Sequence, residues 1–181
     1  MACDIGLGRL KPCKDTAGGI KNIYFVNYGD LGALTYDATD TDVITAVAGT
    51  PNAYKYDVHF NSSLTQNIQS SSENGTTAFE QVLEVILHRQ SKEDHKEIKL
   101  LAWGHPHVIV EDQNDNLFLC GLANGMEVTG GSIVTGTALQ DLSGYNLSLT
   151  GMERVPANFL IPTTPTGDPM ADLGFTVVEG T

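Results

Sequence analysis

The chain has 181 residues, of which 41% are apolar and 18% are charged, and its formal net charge is −12. This length and composition fit one folded domain and exclude an intrinsically disordered protein, which would have fewer apolar residues and more charge. The acidic balance also argues against a tight nucleic-acid binder, because such proteins neutralise phosphates with clustered Lys and Arg.

Most of the basic residues lie in two short stretches. Four Lys or Arg precede residue 30, and four more lie between Arg89 and Lys99. From Leu100 to Glu153 there is neither Lys nor Arg, although there are six acidic residues. A surface that DNA slides past without sticking is compatible with this pattern, and so is a merely soluble acidic surface.

Cys3, Cys13 and Cys120 form an odd set without a C-x-x-C pair, so neither a disulfide framework nor a zinc knuckle is indicated. The first residues lack the apolar core of a signal peptide, and there is no apolar run of about 18 residues to span a membrane. We therefore expect synthesis in a reducing cytoplasm, followed by incorporation into a larger assembly.

The first half of the chain predicts an arm followed by strands. Residues 1–18 are aperiodic and predict an N-terminal arm, whereas residues 20–28 and 43–47 are rich in β-branched and aromatic residues and predict strands. Alternating apolar residues from residue 54 predict a half-buried strand, and a weaker alternation continues into a polar second arm. Together they predict a β-hairpin over residues 54–73. Its apolar positions are Tyr54, Tyr56, Val58, Phe60, Leu64 and Ile68.

Residues 76–90 carry two competing patterns. Phe79, Val82 and Ile86 have helical spacing, whereas Phe79, Leu83 and Leu87 also fit a strand, and periodicity alone favours the helix. Immediately afterwards, residues 91–94 form a capping-box pattern that predicts a short helix. The apolar face expected for that helix comprises Ile98, Leu101 and Ala102.

The second half predicts short strands separated by turn residues, at 107–111, 117–120 and 145–152. Strands at this spacing predict a mainly β (α+β) domain, an antiparallel sandwich or barrel with one flanking short α-helix. We place this domain at residues 19–155. The Pro-, Thr- and Gly-rich residues 156–181 predict an extended C-terminal tail.

Motifs for chemistry are weak throughout the sequence. His105 and His107 flank a proline and have no third ligand placed by spacing, so a surface turn is favoured over a metal site. Asp112, Asn114 and Asn116 begin like a calcium loop, but the glycine and the final Glu of such loops are missing, which favours an Asn/Asp turn. No nucleophile motif is present. We therefore expect no catalytic, cofactor-binding or metal-binding residues, and an enzyme is the least favoured class.

Several segments together resemble a known family. They read DNLFLCG at 115–121, NGMEV at 124–128, TGTALQD at 135–141 and GYNLSLT at 144–150, preceded by KEIKLLA at 96–102 and VIVED at 108–112. A Gly-Gly pair also precedes the aromatic strand near residue 20. In this order of turns and strand lengths, residues 13–155 resemble the major tail-tube proteins of phages of the Bacteroidetes.

The resemblance implies a tail-tube fold, with six subunits in a ring and rings stacked into a tube in the virion tail. By the same resemblance, residues 76–90 form a long strand that runs into the helix, and we adopt the strand there. The hairpin of residues 54–73 would supply the inner wall and the contacts between rings. The implied partners are further copies, together with tape-measure, terminator and baseplate proteins. Double-stranded DNA would pass through without specific binding.

Two alternatives remain open. A related virion ring, such as a tail terminator, neck or decorating ring, or the inner tube of a contractile injection system, would share this fold. From another class, a ligand-binding β-sandwich could stack sugars on Tyr54, Tyr56 or Trp103, although these aromatic residues fit a core or an interface equally well.

Overall fold

The computed structural model describes residues 7–11, 13–58 and 61–180. The protein is mainly β, with 46% strand and 9% helix, which confirms the predicted fold class. In chain order the elements are β1 Ile20–Val26, β2 Leu34–Tyr36, β3 Val43–Val47, β4 Asn52–Asp57, β5 Ser63–Ser71, β6 Thr76–His88, α1 Lys92–Trp103, β7 His107–Asp112, β8 Leu117–Cys120, β9 Glu127–Val134, β10 Gly144–Glu153, β11 Asn158–Leu160, α2 Pro169–Asp172 and β12 Thr176–Glu179.

The strands form two sheets of unequal size. The large sheet has the order β12-β4-β1-β7-β8-β11-β3-β2, and the small sheet has the order β5-β6-β10-β9. Neighbouring strands are antiparallel except for two pairs, β11 with β3 and β12 with β4, which are parallel. Parallel partners need long connections, so these two pairs bring distant parts of the chain together.

Two hydrophobic cores lie on opposite faces of the large sheet. Successive residues of β1 point alternately to the two sides, so that Ile23 and Phe25 enter the first core, whereas Tyr24 and Val26 enter the second. The first core lies between the sheets, because the small sheet contributes Leu83 and other buried residues to it. Burying each such side chain stabilises the fold by about 1.5–3 kcal/mol.

The segment predicted to be an extended C-terminal tail instead belongs to the second core. Met170, Leu173 and Phe175 are buried there, and β11 and β12 are strands of the large sheet. The Val47 N–H donates to the Leu173 carbonyl at 2.7 Å, so this segment also binds the backbone of β3. Its irregular apolar spacing conceals the packing, because its partners in β3, β4 and β8 are all remote in the sequence.

Residues 76–88 form strand β6, as adopted from the resemblance, and the helical periodicity was misleading. Gln81, Leu83 and Val85 are buried with strand spacing, and β6 pairs with β5 on one side and β10 on the other. The helical pattern arises because Val82 and Ile86, on the opposite face of the strand, are also apolar and half-buried. Pairing on both sides satisfies the backbone groups that a helix would otherwise satisfy internally.

Helix α1 begins where the capping pattern predicts. The Ser91 hydroxyl accepts a hydrogen bond from the Asp94 N–H at 3.0 Å, which satisfies one of the unpaired donors of the first turn. Ile98 is buried and Leu101 is half-buried against the first core, but Ala102 is exposed. The packed face of α1 is therefore narrower than predicted.

We expect Leu173→Ala to lower the free energy of unfolding by about 2–5 kcal/mol, because it leaves a cavity in the second core. Leu139→Ala is the matched control, since Leu139 is fully exposed and its loss should change stability by less than about 0.5 kcal/mol. Urea denaturation followed by circular dichroism measures both. Equal stability of the two variants would show that the C-terminal segment is not packed in solution.

Candidate assembly surfaces

The hairpin predicted over residues 54–73 is wrong, because its two arms belong to different sheets. Strand β4 pairs with β1 and β12 in the large sheet. Strand β5 pairs with β6 in the small sheet, through a turn that contains Gly75 at φ 61°. Local alternation predicted each strand correctly but carried no information about its partner.

The six residues predicted for self-assembly therefore have different environments. Val58 is buried in the first core, Leu64 packs against that core, and Tyr56 contacts Phe25 edge to face at 5.0 Å between ring centroids. Burial, followed by the nearby carboxylates of Glu97 and Asp94, raises the pKa of Tyr56 to about 12. Of the remaining residues, Tyr54 and Ile68 are exposed, and Phe60 lies outside the described residues. Only Tyr54 and Ile68 of the described set are available for contacts with another molecule.

The β5–β6 hairpin ends in an exposed tip. The Ala157 N–H donates to the Gln66 side-chain oxygen at 2.8 Å, which ties the hairpin to the rest of the domain. Farther along β5, Ile68 is opposite Phe79. Nearer the centre of the sheet this face of the strand is buried, but 71% of the surface of Ile68 is exposed. The tip thus presents an apolar residue that nothing in the described chain covers.

The outer face of the small sheet is mainly polar, apart from the half-buried Val82 and Ile86 of β6, and it carries acidic side chains. Its four strands contain acidic residues but neither Lys nor Arg. Glu80 and Glu84 alternate with the buried residues of β6 and therefore point outward. The amide groups of Asn67 and Gln69 donate to Glu80 at 3.2 and 3.1 Å, and the Ser148 hydroxyl donates to Glu84 at 2.9 Å. These contacts hold the carboxylates in a regular array.

Both edges of the small sheet are open in the described chain. Strand β5 pairs only with β6, and strand β9 pairs only with β10. Most of β9 is exposed, including Gly130 and Gly131 at its centre. An open edge presents unpaired N–H and C=O groups to which another strand can bind.

The buried polar groups near the end of β10 serve the structure of the loop after β8. Glu153 accepts the N–H groups of Ala123 and Asn124, each at 2.9 Å. Gln81 accepts the Gly121 N–H at 2.8 Å, and His107 Nδ1 lies 2.7 Å from the Gly121 carbonyl oxygen. No sequence signal pointed to Gln81 or Glu153, because their loop partners are remote in the chain.

The two histidines weighed as metal ligands have separate roles. His107 is buried and stacks on Tyr28 at 5.1 Å between ring centroids, whereas His105 is exposed and lies 3.1 Å from Glu127. The described residues contain no group of three or more His, Cys, Asp or Glu arranged to hold a metal ion. This separation agrees with a turn at His105 and a structural role for His107.

The calcium-like segment forms an Asp-centred turn. Asp112 Oδ1 accepts the N–H groups of Asn114 and Asn116, each at 2.8 Å, and Oδ2 accepts their side-chain amides at 3.3 and 2.9 Å. Burial acts to raise the pKa of Asp112, but these hydrogen bonds outweigh it and lower the pKa overall. The segment therefore works as the Asn/Asp turn favoured from its sequence.

Comparisons with known proteins found no matching family model, no matching curated protein and no matching solved structure. In the described part of the chain, no helix is both long and apolar enough to cross a membrane.

We expect Asp112→Ala to lower the free energy of unfolding by about 1–3 kcal/mol at neutral pH, because it removes a carboxylate that organises a turn. The lowered pKa means that this stabilisation is present above the ordinary value of 3.8 and is lost as the pH falls through the lower folded-state value. Denaturation at pH 7 and at pH 2–3 should show the difference from wild type shrinking in acid. A difference independent of pH would contradict the assignment.

Proposed function

We propose that this protein is a self-assembling structural subunit that forms rings stacked into a phage-tail-type tube, through which DNA passes. The observation that carries the proposal is the small sheet, which has a buried inner face, an acidic outer face without Lys or Arg, and two open edges. The resemblance to tail-tube subunits led to the same proposal from the sequence.

Ring closure would follow from the open edges. When β9 of one copy lies beside β5 of the next, the sheet continues from subunit to subunit, and the last copy meets the first. Closure removes every open edge of the small sheet and satisfies backbone groups that are unpaired in the single chain. The same geometry places the outer faces of all the small sheets around a common lumen.

The chemistry of that face suits a conduit. Glu80 and Glu84 repel phosphates, and the neighbouring Ser, Thr, Asn and Gln side chains keep the wall wet. Without Lys or Arg, the four strands offer DNA none of the cationic contacts that supply non-specific affinity. Transport through the tube requires no bond to form or break.

The exposed hairpin tip should be needed for assembly. We expect Ile68→Asp to leave the monomer folded, with its stability changed by less than about 0.5 kcal/mol, because the side chain is exposed. We also expect it to abolish tube growth, because a charge would enter an apolar contact between copies. Leu139→Asp is the matched control at another exposed leucine. Negative-stain microscopy and sedimentation measure the outcome, and normal tubes from Ile68→Asp would contradict the role of the tip.

A separate experiment tests whether the outer face of the small sheet lines the lumen. It uses Glu84→Cys in a Cys3→Ser/Cys13→Ser background, because the remaining cysteine, Cys120, is buried. N-ethylmaleimide should modify Cys at position 84 in both monomers and tubes. A polyethylene glycol maleimide too large to enter a tube should react readily with monomers but only slowly with tubes. Equal reaction of the large reagent with both forms would place this face on the outside.

A further inference from the structure

The outward face of α1 is basic and apolar. At about 100° per residue, Lys92, Lys96, Lys99 and Trp103 fall within one narrow arc of the helix. The buried Ile98 lies on the opposite side of the helix, so this arc points away from the domain. Two acidic residues of the helix, Asp94 and Glu97, lie outside this arc. They are close enough to Tyr56 to raise its pKa.

Trp103 gives this face the character of a protein contact. It is the single tryptophan of the chain and is 71% exposed, and Leu100 beside it is 50% exposed. The Lys99 ammonium lies 4.7 Å from the centroid of the Trp103 ring, a cation–π contact that holds the two side chains together. Tryptophan is enriched among the residues that dominate binding energy at protein interfaces.

The lysines of this face have no acidic partner among the residues that the structure describes. Lys21 forms ion pairs with Glu111 and Asp115, and Lys55 forms one with Glu179. Among the described residues, no ion pair involves a lysine of α1. The basic face is therefore free to meet a complementary acidic surface.

The loop between β2 and β3 is such a surface. It carries Asp37, Asp40 and Asp42 without a basic residue, and the adjoining Tyr36 is 40% exposed. Asp37 Oδ1 accepts the Thr39 N–H at 2.8 Å, and Asp40 Oδ1 accepts the Asp42 N–H at 3.0 Å, so the loop is held in a defined turn. The carboxylate of Asp42 remains available for an external contact.

The two charged surfaces lie on different parts of one subunit. Helix α1 packs beside Tyr145 at the start of β10, where the tyrosine hydroxyl donates to the Ser91 carbonyl. The Asp42 carbonyl of the acidic loop accepts the Phe159 N–H. Phe159 is close to Ala157, and Ala157 lies at the level of Gly151, near the end of β10. The six residue steps of β10 between these levels span about 20 Å at the start of α1, and among the described residues no ion pair joins the helix to the loop.

We infer that the basic, aromatic face of α1 docks on the acidic β2–β3 loop of a second copy and so joins one ring to the next. The inference rests on the proposed function. A contact between two different surfaces repeats in a head-to-tail manner without limit, as a stack of rings requires. Opposite charges favour the correct approach, and Trp103 supplies the buried contact.

The test exchanges charges between the two surfaces. Lys96→Glu/Lys99→Glu makes both surfaces acidic, and Asp40→Lys/Thr41→Lys/Asp42→Lys, which leaves Asp37 as the one carboxylate of the loop, makes both basic. We expect each variant to fold and to form rings but not tubes. An equimolar mixture should restore tubes, because each acidic surface of one variant then meets a basic surface of the other. Microscopy counts the tubes, and a blue shift of Trp103 fluorescence on stacking reports burial of the ring.

Lys11→Glu/Lys14→Glu is the matched control, since it makes the same change in net charge in the N-terminal arm and should still give tubes. This contact would be overturned if Lys96→Glu/Lys99→Glu alone formed tubes, or if the mixture formed none. In either case, tubes of the wild-type protein would leave the proposed function standing. A wild-type protein that stays monomeric at every concentration would overturn both. Salt-dependent DNA binding that is lost in the helix variant, with stacking unchanged, would reassign the face to nucleic acid.

Discussion

The small sheet is buried on one face only, and the rest of the architecture depends on this one-sided burial. Along β10, Tyr145, Leu147 and Leu149 enter the first core, whereas the residues between them point outward. Leu64, Leu83 and Leu149 lie side by side on adjacent strands, so the apolar stripe crosses three of the four strands. A slip of one residue would turn this stripe into solvent, and burial therefore determines the register.

One-sided burial also determines where polar and charged groups can lie. The outer face must be wet, and its acidic side chains bind neighbouring amides and hydroxyls instead of cations. Buried carboxylates elsewhere in the domain are satisfied by specific partners: backbone N–H groups bind Glu153, and Tyr24, Asn22 and Lys21 bind Glu111. Both carboxylates are thus accounted for by structural contacts, whereas the buried side-chain oxygen of Asn158 has no hydrogen-bond partner among the described residues.

The separation of charge connects the fold to the proposed assembly. Strands that would line a lumen carry no Lys or Arg, and the three lysines of α1, which form no ion pair among the described residues, lie on its outward face. Among the described residues, no ion pair joins this face to the acidic loop. A subunit with open sheet edges and complementary surfaces at separate positions has the properties that a repeating assembly needs.

The sequence alone determined the features that depend on neighbouring residues. Residue composition located β3, flanking turn residues located β8, and the Ser91 cap located α1, because these signals arise within a few residues. The distribution of Lys and Arg was equally visible in the sequence. The resemblance, and not the periodicity, led to the strand at residues 76–88.

Only the tertiary structure decided which strands pair and which exposed residues remain uncovered. Tyr54 and Ile68 belong to segments that alternate as the arms of one hairpin would, yet they lie in different sheets. Similarly, β12 pairs with β4 although more than a hundred residues separate them. Likewise, His107 and Glu153 could be assigned to loop support only when their partners were known. Strand pairing and hydrogen bonding between remote segments depend on the packing of the whole chain, and a local pattern contains no information about the partner.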